Sequence, residues 1–265
     1  MGNTNQKLAC CTNKPTEKSL RYTNDDPVIF VTNNAKNAPS NSRSLIIADV
    51  VKQSSKAVYP DLYKGHFSSP LISSQDLEAR TKEIAEHIHA TYPVDEPLVM
   101  LCILKGSVPF YNLLCNQLAL LGHPFMLDFY RVKSYVGDAS SGSVTSFGDL
   151  PKSIRGRHVL IIEDIVDTGT TLKSLLPRIT NEEPKSCSIC SMLVKRLYVN
   201  SSEDDDEDDG GEVTTLLDLD NNLIGFNIPN VFVVGCGLDY NEMYRDLSDM
   251  WILGEVGIKG GGYGL

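Results

Sequence analysis

The chain has 265 residues, 24 lysines and arginines against 34 acids, a formal net charge of −10, and 42% hydrophobic and 8% aromatic residues. That length suits one α/β domain of about 200 residues with extensions, and the composition is ordinary for a soluble globular protein. Setting aside the seven acids of 203–209 leaves −3, so the remainder is nearly balanced and carries no basic field for nucleic acid. No apolar run approaches the roughly 18 residues of a membrane span, and no signal peptide is evident.

Residues 1–40 are rich in Asn, Thr, Lys and Ser without periodicity and read as a flexible extension, with residues 41–265 forming the domain. Met1-Gly2-Asn3 with Cys10-Cys11 suggests myristoylation followed by palmitoylation, but Gln6 stands where that motif wants Ser or Thr. An inert tail is therefore the preferred reading, with membrane contact expected only if the end is acylated. The chain looks ordered from Leu71. Ser73 and Asp76 form a capping box, and Leu77, Thr81, Ile84 and Ile88 follow one helical stripe. Leu98–Leu104 reads as a buried strand, Lys105-Gly106-Ser107 as a turn into an apolar helix to about Leu121, and residues 125–132 as a second strand.

Residues 134–149 hold five serines and three glycines, too polar to pack, and read as a lid or disordered loop. Residues 186–194 form another strand ending at Lys195-Arg196, and 200–212 an acidic, solvated surface insertion. A last short strand spans 231–234, and the Gly-rich C-terminus reads as loose. Alternating strands and helices predict a doubly wound parallel sheet with ligands at the carboxyl ends of its strands. The seven cysteines mostly sit in apolar surroundings and there read as core thiols, and Cys187 and Cys190, with C-x-x-C spacing but no second pair, are assigned no metal. The five histidines form no cluster in sequence.

The chain is organised around Val159-Leu160-Ile161-Ile162-Glu163-Asp164-Ile165-Val166-Asp167-Thr168-Gly169-Thr170-Thr171. A mostly β-branched strand runs into two adjacent acids, then a third, then a Thr/Gly turn into a helix. The turn offers backbone N–H groups and hydroxyls to a phosphate monoester. The acids beside it make sense if they bind sugar hydroxyls or a divalent metal. Together these suit a sugar phosphate.

Over all thirteen residues this stretch resembles the phosphoribosyl-diphosphate signature of the type I phosphoribosyltransferases. Lys133-Ser134-Tyr135, Leu193-Val194-Lys195-Arg196 and Leu238-Asp239-Tyr240-Asn241-Glu242 further resemble strings of the hypoxanthine-guanine phosphoribosyltransferases, over roughly residues 71–258. The resemblance implies a doubly wound fold with a small hood. It implies magnesium-dependent transfer of ribose 5-phosphate from phosphoribosyl diphosphate to N9 of hypoxanthine or guanine, in the cytoplasm, by a homodimer or homotetramer.

The residue roles follow from the same resemblance. Asp167 is the general base at purine N7; Glu163 and Asp164 hold the ribose hydroxyls and help hold magnesium, with Asp239 its main protein ligand. Thr168, Gly169, Thr170 and Thr171 hold the 5′-phosphate, Lys195 meets the 6-oxo group, Phe232 stacks on the base and the Val233 main chain reads its exocyclic edge. Lys105, Gly106 and Arg245 clamp pyrophosphate, while Ser134 and Tyr135 close over the reaction. One departure is Thr170, where many relatives carry Lys; a charge is lost but hydroxyl and backbone donors remain. A non-enzymatic sensor on the same fold would show a damaged base pocket or an added DNA-binding domain, and the sequence has neither.

Overall fold

The computed structural model describes residues 29–30, 59–133, 145–146, 149–195, 197–199, 212–214 and 222–260. Among these, in chain order, lie β1 (Ile29–Phe30), β2 (Phe67–Ile72), α1 (Ser74–Thr91), β3 (Leu98–Leu104), α2 (Val108–Leu120), β4 (Phe125–Lys133), β5 (Thr145–Ser146) and β6 (His158–Val166). They are followed by α3 (Thr170–Asn181), β7 (Ser186–Lys195), β8 (Leu197–Val199), β9 (Glu212–Thr214), β10 (Leu223–Ile228), β11 (Val233–Val234), β12 (Met250–Leu253) and α4 (Glu255–Gly260).

The main sheet runs β1-β10-β7-β6-β3-β4-β5. Its five central strands are parallel, and short β1 and β5 pair antiparallel at the two edges. Period-two alternation divides the continuous apolar strands between two cores. Leu98, Met100, Cys102, Leu160 and Ile162 pack with Ile84, Ile88, Phe110 and Leu114 of α1 and α2. Val99, Leu101, Ile103, Val159 and Ile161 pack on the other face with Leu172, Leu175 and Ile179 of α3. Helices cover both faces, so every apolar position of β3 finds a partner. This is the doubly wound parallel architecture expected from the alternation of strands and helices.

Local signals explain several boundaries. Ser73 caps α1, its Oγ accepting from Asp76 N–H at 3.1 Å and donating to Asp76 Oδ2 at 2.6 Å. The stripe Leu77, Thr81, Ile84 and Ile88 is buried. Cys187 and Cys190 alternate along β7 onto opposite faces, one against each core, so their spacing chelates nothing.

Four expectations need correction. The first continuous described stretch begins at Tyr59 rather than Leu71, with a 3-10 turn at Asp61–Tyr63 leading into β2. β6 does not stop before its acids but runs through them to Val166, because β7 pairs with it that far. β10 and β12 went unrecognised: β10 is broken in pattern by Gly225 and Asn227, and β12 is only four residues long. The short strand expected at 231–234 is Val233–Val234 alone and is not the last, joining β12 and β2 in a second, antiparallel sheet. That sheet is stitched by aromatics, Trp251 stacking on Phe67 at 5.1 Å and meeting Tyr59 edge-on at 5.3 Å.

Within the N-terminal stretch read as flexible, Ile29–Phe30 pairs with β10; the rest of residues 1–58 lies outside the described residues. β8 and β9 form an antiparallel ribbon leading to the acidic insertion, whose residues 200–211 also lie outside them. So do most of 134–149, including Ser134 and Tyr135, and the final residues 261–265. Among the described residues no helix is long and apolar enough to cross a membrane.

Candidate active site

β6 keeps β7 beside it through Val166, whereas its register with β3 ends at Ile162. Glu163 and Asp164 therefore sit where the sheet has lost one neighbour. The loop after β3 approaches them from that side. A Cβ on Gly106 would lie 1.6 Å from Asp164 Oδ2, and one on Gly237 would lie 2.0 Å from Gly106 O, so both contacts require glycine. The Leu104–Lys105 peptide is cis.

The two acids are poorly compensated. Glu163 is 6% exposed, and Ser107 Oγ donates to its Oε2 at a long 3.4 Å. Asp164 Oδ1 accepts the Ile165 N–H at 2.8 Å. Burial, then the charge of Asp164, pushes the Glu163 carboxyl well above its ordinary range. Burial raises Asp164 from 3.8 to about 6, opposed by backbone hydrogen bonds and Arg245 and assisted by Asp239.

Raised carboxyl values mean that the folded chain holds these protons more tightly than the unfolded chain. The free protein therefore loses stability as pH rises from about 4 through about 6. Glu163→Gln removes part of that burden. Its melting temperature is expected to exceed wild type by about 2–4 °C at pH 7.5, equivalent to roughly 1 kcal/mol, and to converge with it near pH 4.5. Thermal scans at the two pH values check this, and equal melting temperatures at pH 7.5 would contradict it.

Past Val166 the chain presents Asp167, whose Oδ2 accepts from Lys195 Nζ at 2.8 Å. The Lys195 side chain is 11% exposed and that of Asp167 48%, so a deeply seated cation meets a half-exposed acid. Gly169, at φ 70°, caps α3 in the left-handed conformation. Thr168 and Thr170 share a hydroxyl–hydroxyl hydrogen bond of 2.8 Å. The start of α3 leaves free N–H groups and the positive helix end beside Thr168–Thr171, an anion cradle whose four residues include no Lys.

A third wall comes from the loop after β11. Cys236, Asn241, Glu242 and Tyr244 all have positive φ, a dense run of left-handed non-glycine residues. Tyr244 is almost wholly buried and its hydroxyl meets His66 Nδ1 at 2.9 Å, anchoring the loop. Asp239 Oδ2 accepts from Glu242 N–H at 2.8 Å, and its Oδ1 pairs with Arg245 Nη2 at 2.9 Å. Arg245 Nη1 donates to Gly237 O at 2.8 Å and its Nη2 reaches Glu242 Oε2 at 3.2 Å. Lys105 Nζ donates to both Glu242 oxygens, at 3.1 and 3.0 Å. Lys105 and then Arg245 hold the Glu242 carboxyl below its ordinary range.

The sheet edge thus gathers Lys105, Gly106, Glu163, Asp164, Asp239 and Arg245 into one cluster, with the Asp167–Lys195 pair and the Thr168–Thr171 turn beside it. Phe232 is 47% exposed, its ring edge-on to Tyr240 at 5.4 Å, so it is a surface aromatic and not a core residue. Val233 is buried and pairs with Ile252. Among the described residues no three His, Cys, Asp or Glu side chains form a ready-made metal cage, so Glu163, Asp164 and Asp239 do not converge as one. Sequence reasoning gave Ser107 and Glu242 no role, although Glu242 lies inside a quoted string. It also missed the contact of His89 with buried His123, whose rings meet at 5.5 Å away from this edge.

Comparison with known proteins agrees with this geometry. Residues 71–241 match the phosphoribosyl transferase domain. The hypoxanthine-guanine phosphoribosyltransferase of Mycobacterium tuberculosis (strain CDC 1551 / Oshkosh) is 36% identical over 208 residues, covering 75% of this chain and 94% of that protein. The enzyme of the same name from Canis lupus familiaris is 36% identical over 167 residues, 60% of this chain and 69% of that protein. Among solved structures, the Trypanosoma cruzi hypoxanthine phosphoribosyl transferase, studied for its C-terminal region, oligomeric state and activity, matches with a TM-score of 0.60. It is 32% identical, and the match covers 74% of this chain and 97% of that one. By the domain match and by the 36% identity over nearly the whole length of the Mycobacterium tuberculosis enzyme, the chain belongs to the hypoxanthine-guanine phosphoribosyltransferases.

Proposed function

We propose that this chain transfers ribose 5-phosphate from phosphoribosyl diphosphate to N9 of hypoxanthine or guanine, releasing pyrophosphate and forming a purine nucleotide for salvage. The observation that carries this reading is the 2.8 Å pair between Lys195 and Asp167 beside the phosphate turn. It supplies a donor for a 6-oxo group and an acceptor for a ring proton at adjacent strand ends.

In the reaction the C1–O bond of the sugar breaks, and its electron pair leaves with pyrophosphate. N9 forms the new C–N bond while the N7 proton passes to Asp167. The sugar carbon gains oxocarbenium character, so positioning and charge stabilisation matter more than a protein nucleophile. The α3 turn, Thr168 to Thr171, holds the 5′-phosphate and fixes the sugar. Glu163 and Asp164 take the ribose hydroxyls, and Lys105, Gly106 and Arg245 face the pyrophosphate. Phe232 offers its exposed face to the purine, and the Val233 main chain its edge. Lys195 donates to the 6-oxo group; the amino group of adenine cannot accept there, leaving a deeply seated cation unmatched. Ser134 and Tyr135, which lie outside the described residues, keep the role that the resemblance implies, closing over the reaction so that water is kept from the activated sugar.

Magnesium fits the oxygen donors of this edge. Two acids whose ionised forms are penalised by burial gain from a nearby cation. Magnesium is usually held by one or two carboxylates, waters and substrate phosphates rather than by a full protein cage. Asp239 would hold it, with Glu163 and Asp164 nearby. When bound, it neutralises charge on the leaving group.

We further propose a cytoplasmic homodimer or homotetramer, which the exposed neighbours Leu127 and Phe129 on β4 favour. The test is a panel of hypoxanthine, guanine, xanthine and adenine with phosphoribosyl diphosphate and magnesium. Hypoxanthine and guanine are expected to turn over, and adenine at least about 10³-fold more slowly. Comparable adenine turnover would remove Lys195 from its role.

A further inference from the structure

The clamp residues are already in use. Lys105 spends its ammonium on both oxygens of Glu242, and Arg245 divides its guanidinium among Asp239, Glu242 and Gly237 O. Asp239 and Glu242 thus offset both cations, a poor reception for a polyanion. Asp239 has a reason to be there as the expected cation ligand. Glu242 has none in the chemistry so far, yet its backbone is held in the left-handed conformation, its N–H on Asp239 Oδ2. Its side chain is 65% exposed, free to swing into solvent, and the Lys105 side chain is 51% exposed.

We infer that Glu242 is an internal stand-in for pyrophosphate: its carboxylate bridges Lys105 and Arg245 in the free protein and is expelled when the diphosphate enters. This rests on the proposed function, in which those two residues face the diphosphate. A carboxylate and a phosphoryl group both offer paired oxygens to a lysine and an arginine fork. The bridge keeps two cations preorganised at the loop. It also sets a competition that weakens binding of phosphoribosyl diphosphate and eases departure of the product. Glu242 thus tunes affinity through Lys105 and Arg245 and is not a catalytic residue.

The competing reading, that Glu242 merely props up the clamp, makes the opposite forecast, so the sign decides. Two exposed pairs are individually weak, and their combined loss corresponds to about a fivefold change in affinity. Glu242→Gln is expected to bind inorganic pyrophosphate in magnesium buffer about fivefold more tightly by calorimetry. The KM for phosphoribosyl diphosphate is expected to fall comparably, with the KM for hypoxanthine unchanged. The gain should shrink as salt is raised from 0.05 to about 0.5 M, because exposed pairs are screened. Product nucleotide, which lacks the diphosphate, serves as control and is expected to bind alike in both proteins.

Weaker or unchanged pyrophosphate binding by a variant that still binds the nucleotide overturns the inference. Glu242→Asp, which keeps the charge, is expected to stay near wild type, and matching gains in both variants would likewise overturn it. If wild type binds neither pyrophosphate nor nucleotide, the functional reading itself fails, which is a separate result.

Discussion

Asp167→Asn is expected to lower turnover by about 10²–10⁴-fold while leaving the fold and both substrate sites nearly intact. Asparagine keeps the shape and an oxygen that accepts from Lys195, replacing the 2.8 Å ion pair with a neutral hydrogen bond. It cannot take up the N7 proton. Because the Asp167 side chain is 48% exposed, the stability lost is expected to stay within about 1 kcal/mol. KM for phosphoribosyl diphosphate is expected to change less than threefold, since the phosphate turn lies on the following residues. Steady-state kinetics with a parallel thermal scan separates the outcomes. Turnover within tenfold of wild type would remove Asp167 as the base, and a collapsed melting temperature would make it structural.

Gly106→Ala is expected to be strongly damaging. Its Cβ would fall 1.6 Å from Asp164 Oδ2, far inside contact distance. Asp164 cannot yield cheaply, because Ile165 N–H holds it and Glu163 is packed beside it. The loop would have to shift instead, dragging Lys105 from Glu242 and pressing on Gly237, which already sits against Gly106 O. Overpacking of this kind costs about 1–3 kcal/mol. A displacement near 1 Å in a positioned site lowers rate by about 10²-fold. The combined expectation is a melting temperature several degrees lower and at least a hundredfold loss in kcat/KM for phosphoribosyl diphosphate. A variant with wild-type kcat/KM would show that the 105–106 loop does not position the acid pair.

How much of this was legible from residues alone varied with the range of the interaction. Leu98–Leu104 matched to the residue, because an unbroken apolar run bounded by Pro97 and Lys105 has one economical use, a strand buried on both faces. The signature stretch announced its strand, turn and helix because all three are local. Its acids were misplaced by a few residues only because a neighbouring strand decides where a strand stops, and β7 lies some twenty positions further along. β10, with Gly225 and Asn227 inside it, becomes a strand through pairing with β7 and capping of its carbonyls by Arg80, which reaches Ile224 O at 2.9 Å and Gly225 O at 3.0 Å.

The small sheet joins β2 to β12, segments more than 170 positions apart, and no local pattern encodes that meeting. The site divided in the same way. Asp167, Lys195 and the phosphate turn follow from strand ends and resemblance, whereas the bond of Glu242 to Lys105 spans 137 positions and exists only once the loops have met. Gly106 reads as a turn residue in sequence and Gly237 drew no reading; the reason for both, a carboxylate and a carbonyl pressed against the missing Cβ, is tertiary.

The most direct measurement is phosphorus NMR of the full chain with phosphoribosyl diphosphate, hypoxanthine and magnesium, followed to completion with the nucleotide product isolated. The expected result is one equivalent of pyrophosphate for each equivalent of N9-linked nucleotide, with the 5′-phosphate signal retained and no reaction in a metal chelator. Pyrophosphate released without nucleotide would make the chain a hydrolase of the activated sugar. An unchanged phosphoribosyl diphosphate spectrum would contradict the transferase chemistry outright.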